Sequence, residues 1–282
     1  MDDYLVVLLT PVFVAFLVVG QYAAAIGFGV DIWTLPPGKI VASIKAFYVD
    51  EMLYLAVLAL VKLTMLFLYL RVFAPQAPPT TGVTRRYRKH YRMFRAAVLV
   101  IAAFVALPSL VFLFLDAFQC RPIDTVWTQW TSTERPTQPG ASPPHSHSCL
   151  SVRTLAYVAA SFGLAQDTAI LLVPWPMLVD LRLGLESSTL PPGSSVKAAR
   201  SAMVTATAMF SLGVFVLTTS CIRLHFLVHF SEASINPTWD NTDSLIWSGL
   251  EVSVSVIVLS LPTVRLLSQR AWRSWRDRQD WG

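Results

Sequence analysis

The sequence is poor in charged residues. Asp, Glu, Lys and Arg make up only 14% of its 282 residues, whereas 54% are hydrophobic. Soluble domains carry about 25% charged residues, so this deficit excludes an ordinary globular core. It is typical of a chain whose main solvent is lipid, because helices that face hydrocarbon carry few charges. The net charge of +5 therefore indicates membrane topology rather than nucleic-acid binding, since the basic residues lie between apolar runs.

Six apolar runs are long enough to cross a bilayer, which takes about 20 residues. They are Tyr4–Ile26, Phe47–Leu70, Phe94–Leu115, Thr154–Leu178, Ala202–Val228 and Ser244–Leu267. The predicted fold class is therefore all-α, a polytopic bundle of six transmembrane helices over residues 1–268. Residues 269–282 form a basic cytoplasmic tail that contains Trp272 and Trp275. Its pattern fits either a helix at the inner interface or a frayed end.

Lysine and arginine are absent from the connection between the last two runs and sparse in two others. Connections on alternate sides of the membrane hold fifteen of these residues on one side and five on the other. Cytoplasmic loops are enriched in them, so both chain ends are predicted to be cytoplasmic, in a protein of the plasma membrane. The connection between the second and third runs is the richest, and we predict a basic cytoplasmic surface there. It comprises Arg85, Arg86, Arg88, Lys89, Arg92 and Arg95.

Cysteine is scarce, with three residues in the chain. Cys120 and Cys149 both lie in the connection between the third and fourth runs, which the charge distribution places outside. A disulfide can form and persist there, so we predict a Cys120–Cys149 bridge. Cys221 lies inside the fifth run and is typical of a small apolar filler.

Four ionisable residues interrupt the apolar runs: Lys62, Asp167, Arg223 and Glu251. Charges at membrane depth are costly, so each is a candidate functional residue. The predicted topology fixes each helix direction, and matching depths predict two ion pairs, Lys62–Asp167 and Arg223–Glu251. Glu51 and Tyr69 join this polar core because they share a helical face with Lys62. The pairs either hold helices together or border a ligand cavity that opens outward between the second, fifth and sixth helices.

Several short motifs follow one another in a recognisable order. They are Gly27-Phe28-Gly29 with Asp31 and Trp33, Lys62-Leu63-Thr64 leading to Tyr69-Leu70-Arg71, Phe118-Gln119-Cys120-Arg121-Pro122 with Trp127, Asp167 with Pro174-Trp175-Pro176, and Trp247 with Glu251. In this order they resemble the fungal rhodopsin-like family of integral membrane proteins. That family includes receptor-like proteins of filamentous fungi and membrane proteins of secondary-metabolite gene clusters. The resemblance covers nearly the whole chain.

The resemblance has two departures. The family pattern has seven helices with the N-terminus outside, and its Asp-Asp-Tyr-Leu signature opens the second helix. Here Asp2-Asp3-Tyr4-Leu5 follows Met1, which implies a member that lacks the first helix and agrees with the count of six. Retinal binding in rhodopsins needs a lysine in the last helix, and the run Ser244–Leu267 contains none. We therefore expect neither retinal nor any other cofactor.

The resemblance implies a receptor-like sensor of a small extracellular ligand, with the basic surface meeting a cytoplasmic signalling protein. A small-molecule transporter or channel is the alternative, although the two halves of the chain show no internal repeat. A membrane component of a secondary-metabolite pathway is another. No metal site and no nucleophile constellation stands out in the sequence, so we expect no enzymatic activity. The expected partners are the lipid bilayer, the ligand and the signalling protein, and not nucleic acid.

Overall fold

A computed structural model describes the chain over five stretches and a few isolated positions. These are residues 2–72, 82–128, 148–173, 175, 207, 210, 211, 213–225 and 236–279. Within them, side chains are not described at 2–3, 72, 82–90, 128, 148, 152–153, 237, 240 and 261–279. The middle of the predicted outer loop, most of the fifth apolar run and the side chains of the tail therefore lie outside the described part.

The described chain is helical nearly throughout. In chain order the helices are α1 (Asp2–Ile26), α2 (Pro37–Val72), α3 (Gly82–Ala117), α4 (Thr125–Thr128), α5 (Val152–Leu172), α6 (Pro237–Asp240) and α7 (Thr242–Gln279). Residues 213–225 are also helical, and we call them the 213–225 helix. Five stretches of the described chain are long and apolar enough to span a membrane: Tyr4–Ile26, Pro37–Arg71, Tyr91–Ala117, Thr154–Leu172 and Thr242–Ser260. The prediction of an all-α multi-pass bundle is confirmed.

Helix α2 begins ten residues before the predicted Phe47. Pro37 opens it, and proline suits the first helical position because its fixed backbone angle matches the helix and no N–H is lost. The extra turns are held by Ile40 and Ile44, which are buried against Ile32 and partly against Trp127. Tertiary packing thus continues the helix beyond the continuous apolar run.

Helices α3 and α7 are longer than a membrane is thick. They contain 36 and 38 residues, or about 54 and 57 Å at 1.5 Å per residue, against about 30 Å of hydrocarbon. The predicted basic surface from Arg85 to Arg95 is therefore not a connecting loop but the first turns of α3. Likewise, α7 continues without a break from the last predicted span to Gln279, and the division into a bundle and a tail stays a prediction.

Helix α2 lies at the centre of the bundle and contacts α1, α3, α4, α5 and α7. Its Val57, Val61 and Leu66 are fully buried, and they share one core cluster with Val98 of α3 and Val252 of α7. Surfaces that face away from this core are apolar and exposed, as on α1 and α3. Such surfaces are expected where lipid is the solvent.

A two-stranded hairpin closes one end of the bundle. Strand β1 (Cys120–Arg121) pairs antiparallel with β2 (Ser148–Cys149), and Cys120 stands opposite Cys149. The two cysteines form a disulfide with an S–S distance of 2.11 Å, so the predicted bridge is present. We call this end of the bundle the hairpin end.

The turn between α1 and α2 is tied to the chain just before α7. Gly27 and Gly29 have positive φ angles of 129° and 94°, which favour glycine. The Gly29 amide donates to the Thr238 carbonyl at 2.9 Å, and the Thr238 hydroxyl donates back to the Val30 carbonyl at 2.8 Å. The Asn236 side chain accepts from the Ile32 amide at 3.0 Å. The glycine motif therefore serves a long-range contact.

Candidate functional site: a polar network beside a cavity

Lys62 of α2 is held entirely by α5. Its ammonium lies 2.9 Å from Asp167 Oδ1 and donates to the Gly163 carbonyl at 3.1 Å and to Gln166 Oε1 at 3.4 Å. An ammonium has three N–H donors, so these three acceptors satisfy it. A Cβ at Gly163 would stand 3.8 Å from Lys62 Nζ, which is an ordinary van der Waals distance. The predicted Lys62–Asp167 pair is present in the structure.

Ser220 of the 213–225 helix connects this pair to α7. Its hydroxyl lies 3.1 Å from Asp167 Oδ2 and 2.5 Å from Glu251 Oε1. The other Glu251 oxygen accepts from the Tyr54 hydroxyl at 2.6 Å. Glu251 is 3% exposed, and a buried carboxyl group needs such donors.

Arg223 does not form the predicted direct ion pair with Glu251. Its guanidinium lies over the Tyr54 ring at 4.3 Å from the centroid, and its Nε donates to Ser248 Oγ at 2.9 Å. Within the described residues the ion pair closer than 4.0 Å is the one between Lys62 and Asp167. Tyr54 therefore links Arg223 to Glu251: its ring makes the cation–π contact with Arg223, and its hydroxyl donates a hydrogen bond to Glu251. An aromatic face attracts a cation in this way.

The depth argument predicted two separate pairs, whereas the structure has one connected system. We call it the polar network, and it consists of Tyr54, Lys62, Asp167, Ser220, Arg223, Ser248 and Glu251. It joins four helical segments: α2, α5, the 213–225 helix and α7. Any change at one member alters the hydrogen bonding of another helix.

A cavity of about 70 Å³ lies beside the polar network. At about 10–15 Å³ per water, it has room for about five to seven water molecules. It is bordered by side chains of α2, α3, α5, the 213–225 helix and α7. One of the two interpretations of the ion pairs predicted a cavity between the second, fifth and sixth helices. The α3 side contributes Ser109, Phe112 and Asp116, and the network contributes Tyr54, Lys62, Ser220, Arg223 and Glu251.

The predicted polar-core residues fall into two groups. Glu51, Lys62, Arg223 and Glu251 border the cavity, and Asp167 contacts Lys62 behind its wall. Tyr69 does not join them: it is 5% exposed and packs in the hydrophobic core. It lies seven residues beyond Lys62, about two turns or 10 Å further along α2.

Four residues of the site were missed by sequence reasoning. Tyr54, Gln166 and Ser220 are uncharged, and single polar residues of this kind are common in apolar runs. Asp116 lies one residue beyond the third predicted run, which ends at Leu115, yet α3 continues through Ala117. A usable signal existed on α2, since Glu51, Tyr54, Leu58 and Lys62 share one helical face.

The predicted basic surface is described only in part. Arg92 and Arg95 are exposed on α3, at the end of the bundle opposite the hairpin. The side chains of Arg85, Arg86, Arg88 and Lys89 lie outside the described residues, although their backbone is helical.

Comparison with known proteins gives one family and no individual relative. Neither the curated proteins nor the solved structures contain a match to this chain. The model of the fungal rhodopsin domain matches residues 1–270, which include every described member of the polar network and both disulfide cysteines. The chain is therefore a multi-pass membrane protein that belongs to the fungal rhodopsin domain family.

Proposed function

We propose that this protein is a receptor-like sensor of a small extracellular ligand in the plasma membrane. The observation that carries the proposal is the polar network, because it joins four helices at the wall of a cavity. The hairpin end faces outside and both chain ends are cytoplasmic, as the distribution of Lys and Arg predicts.

The network gives a ligand a means of changing the helix packing. Buried polar groups can fix one of two arrangements of a bundle, because each arrangement must satisfy their hydrogen bonds. A ligand that competes for Glu251 or Tyr54 would shift the contacts of α7 relative to α2. A conformational response requires such a difference in binding between two states.

The basic surface on α3 is the proposed contact for a cytoplasmic signalling protein. Exposed Arg92 and Arg95 favour an acidic partner surface, which they would attract over about a Debye length. Arg85, Arg86, Arg88 and Lys89 extend the same run of positive charge. No retinal is part of the proposal: α7 contains no lysine, and Lys62 is already bonded to three acceptors.

Small-molecule transport is the second candidate function. It is favoured by the position of Lys62, Asp167 and Glu251, since ionisable groups within membrane spans often mark substrate or proton pathways. The same cavity would then pass its ligand across the membrane rather than report its presence.

One reconstitution experiment distinguishes the two functions. The purified chain, in proteoliposomes, would carry spin labels at Met93 on exposed α3 and at a position near Gln279 of α7. Small metabolites that raise Tm in a thermal-shift screen would then be added outside. A sensor shows a ligand-dependent change in the label distance without accumulation of the radiolabelled ligand inside. Accumulation that needs no partner protein would establish transport, and an unchanged distance with every stabilising compound would contradict the sensor.

A further inference from the structure

One carboxyl oxygen of Asp116, Oδ2, is buried on the cavity wall, and no described residue donates a hydrogen bond to it. Asp116 is 4% exposed and borders the cavity, and its Oδ2 atom has no hydrogen-bond partner among the described residues. A buried polar atom of this kind is destabilising unless something satisfies it. The nearby Tyr48 hydroxyl does not do so, since it donates to the Ala117 carbonyl at 2.8 Å.

Negative groups outnumber positive groups around the cavity. Four carboxyl groups, of Glu51, Asp116, Asp167 and Glu251, face two cationic groups, of Lys62 and Arg223. Fully ionised, this set has a formal charge of −2. The excess is concentrated toward the hairpin end, where Asp116 stands four residues before the disulfide cysteine Cys120.

Among the described residues, neither cation of the network forms an ion pair with Asp116 closer than 4.0 Å. Lys62 lies eleven residues beyond Glu51 on α2, about 16 Å further along the helix axis, and its three donors serve α5. Arg223 contacts Tyr54 and Ser248. Lys45, six residues before Glu51 on α2, lies over the Trp127 ring at 4.7 Å from its centroid.

Apart from Glu51 and Ser109, the cavity wall on the Asp116 side is largely apolar. Phe112, one turn earlier on α3, borders the cavity together with Phe162 and Leu155 of α5, and the two phenylalanine rings are 5.6 Å apart. A bare metal ion prefers a shell of oxygen ligands, which such a wall lacks. An organic ammonium suits it, because aromatic faces attract cations and the alkyl part is taken up by apolar side chains.

We propose that the cavity binds a small organic ammonium ion, with Asp116 as the counter-ion and Phe112 and Phe162 against its alkyl group. The volume of about 70 Å³ restricts the ligand to a few heavy atoms. This assignment rests on the proposed function only where it identifies the ammonium ion as the ligand class of the sensor. Binding itself does not depend on signalling.

Binding of ethylammonium to the full chain in lipid nanodiscs tests the assignment. Calorimetry and Tm in amine-free buffer are compared for ethylammonium chloride, for ethanol as a neutral analogue, and for tetraethylammonium as an oversized one. Asp116→Asn removes the charge with little change of shape. Asp50→Asn is the matched control, because Asp50 is also 4% exposed and its Oδ1 has no hydrogen-bond partner in the described part of the chain. Asp50 faces Gly20 of α1 and does not border the cavity.

Ethylammonium is expected to bind and raise Tm, while ethanol and tetraethylammonium do not. Asp116→Asn should raise the Kd about tenfold or more, since a charge-assisted hydrogen bond is lost, and Asp50→Asn should leave it unchanged. Three results would overturn the assignment: equal stabilisation by sodium chloride, equal ethylammonium binding by Asp116→Asn, or no binding of ethylammonium by the wild type. The absence of binding by the wild type is the result expected if Asp116 carries a proton and has no negative charge. The ligand series on the wild type decides the question even if Asp116→Asn fails to fold. A failure here leaves the label-distance experiment on the sensor intact.

Discussion

At the scale of single residues, Gly27 shows how narrowly the α1–α2 turn is built. Its φ of 129° lies in a region that side-chain-bearing residues rarely adopt. A Cβ at this position would also stand 2.6 Å from Leu35 Cδ2, closer than van der Waals contact. Backbone angle and space therefore both select glycine.

Gly27→Ala is expected to lower the free energy of unfolding by about 1–3 kcal/mol, from backbone strain and the displaced Leu35 side chain. Gly38→Ala is the control: Gly38 lies in α2, where an added Cβ meets nothing within 4 Å, and alanine there should be neutral or stabilising. Tm of the purified proteins in the same detergent measures both. Equal Tm values for the two variants would contradict this account of the turn.

Ser220 is the uncharged member of the polar network that lies between two carboxyl groups. Ser220→Ala should destabilise the bundle by about 1–3 kcal/mol, because Glu251 Oε1 loses its nearest donor in a buried site. Ser211 is a suitable control, since it is exposed and its hydroxyl donates to the Thr207 carbonyl, four residues earlier. Thermal unfolding of Ser220→Ala and Ser211→Ala should differ by several degrees, and matching curves would show that Ser220 makes no net contribution.

At the scale of elements, the Lys62–Asp167 pair holds α2 to α5. Lys62→Gln leaves a buried carboxylate without its cation, which commonly costs about 3–5 kcal/mol. The double variant Lys62→Gln/Asp167→Asn removes both charges and should recover much of that loss. The double-mutant cycle by thermal or denaturant unfolding gives the coupling energy. A double variant as unstable as the sum of the single variants would show that the two side chains do not interact.

The elements differ in how much of them the sequence could predict. Apolar runs located the spans because a bilayer imposes a minimum length, and depth matching found Lys62–Asp167 because opposite charges at equal depth need each other. Neither argument could extend α2 back to Pro37, since that depends on packing of Ile40 and Ile44 against Ile32. The role of Tyr54 could not be predicted for a related reason. Its hydroxyl donates to Glu251 because α2 packs against α7, and the sequence does not give that packing. The position of Asp116 within a helix could not be predicted either, because α3 ends two residues later than its apolar run.

At the scale of the whole molecule, the orientation in the membrane is a prediction from charge. The chain has two asparagines, Asn236 and Asn241, and neither begins an Asn-Xaa-Ser/Thr acceptor for glycosylation. Proline follows Asn236, and the second residue after Asn241 is an aspartate. The wild-type chain therefore contributes no N-glycosylation signal of its own. A single Asn-Xaa-Ser/Thr acceptor can be introduced either at 131–147 or at 187–195, and any glycosylation then comes from that site. We expect the first to be glycosylated in a eukaryotic host and the second not, as judged by a glycosidase-sensitive gel shift. The reverse pattern would place the hairpin end in the cytoplasm.

The tie between the α1–α2 turn and the chain before α7 sets an order of events during synthesis. The hydrogen bonds from the Ile32 amide to Asn236 and from Thr238 to the Val30 carbonyl span 204 and 208 residues. At a translation rate of about 5–20 residues per second, the ribosome needs roughly 10 to 40 s to supply the second partner. Until the chain has been synthesised through Thr238, the turn between α1 and α2 therefore lacks these two hydrogen bonds. For that interval the nascent chain depends on lipid, or on the insertion machinery, to cover the surface that α7 later occupies.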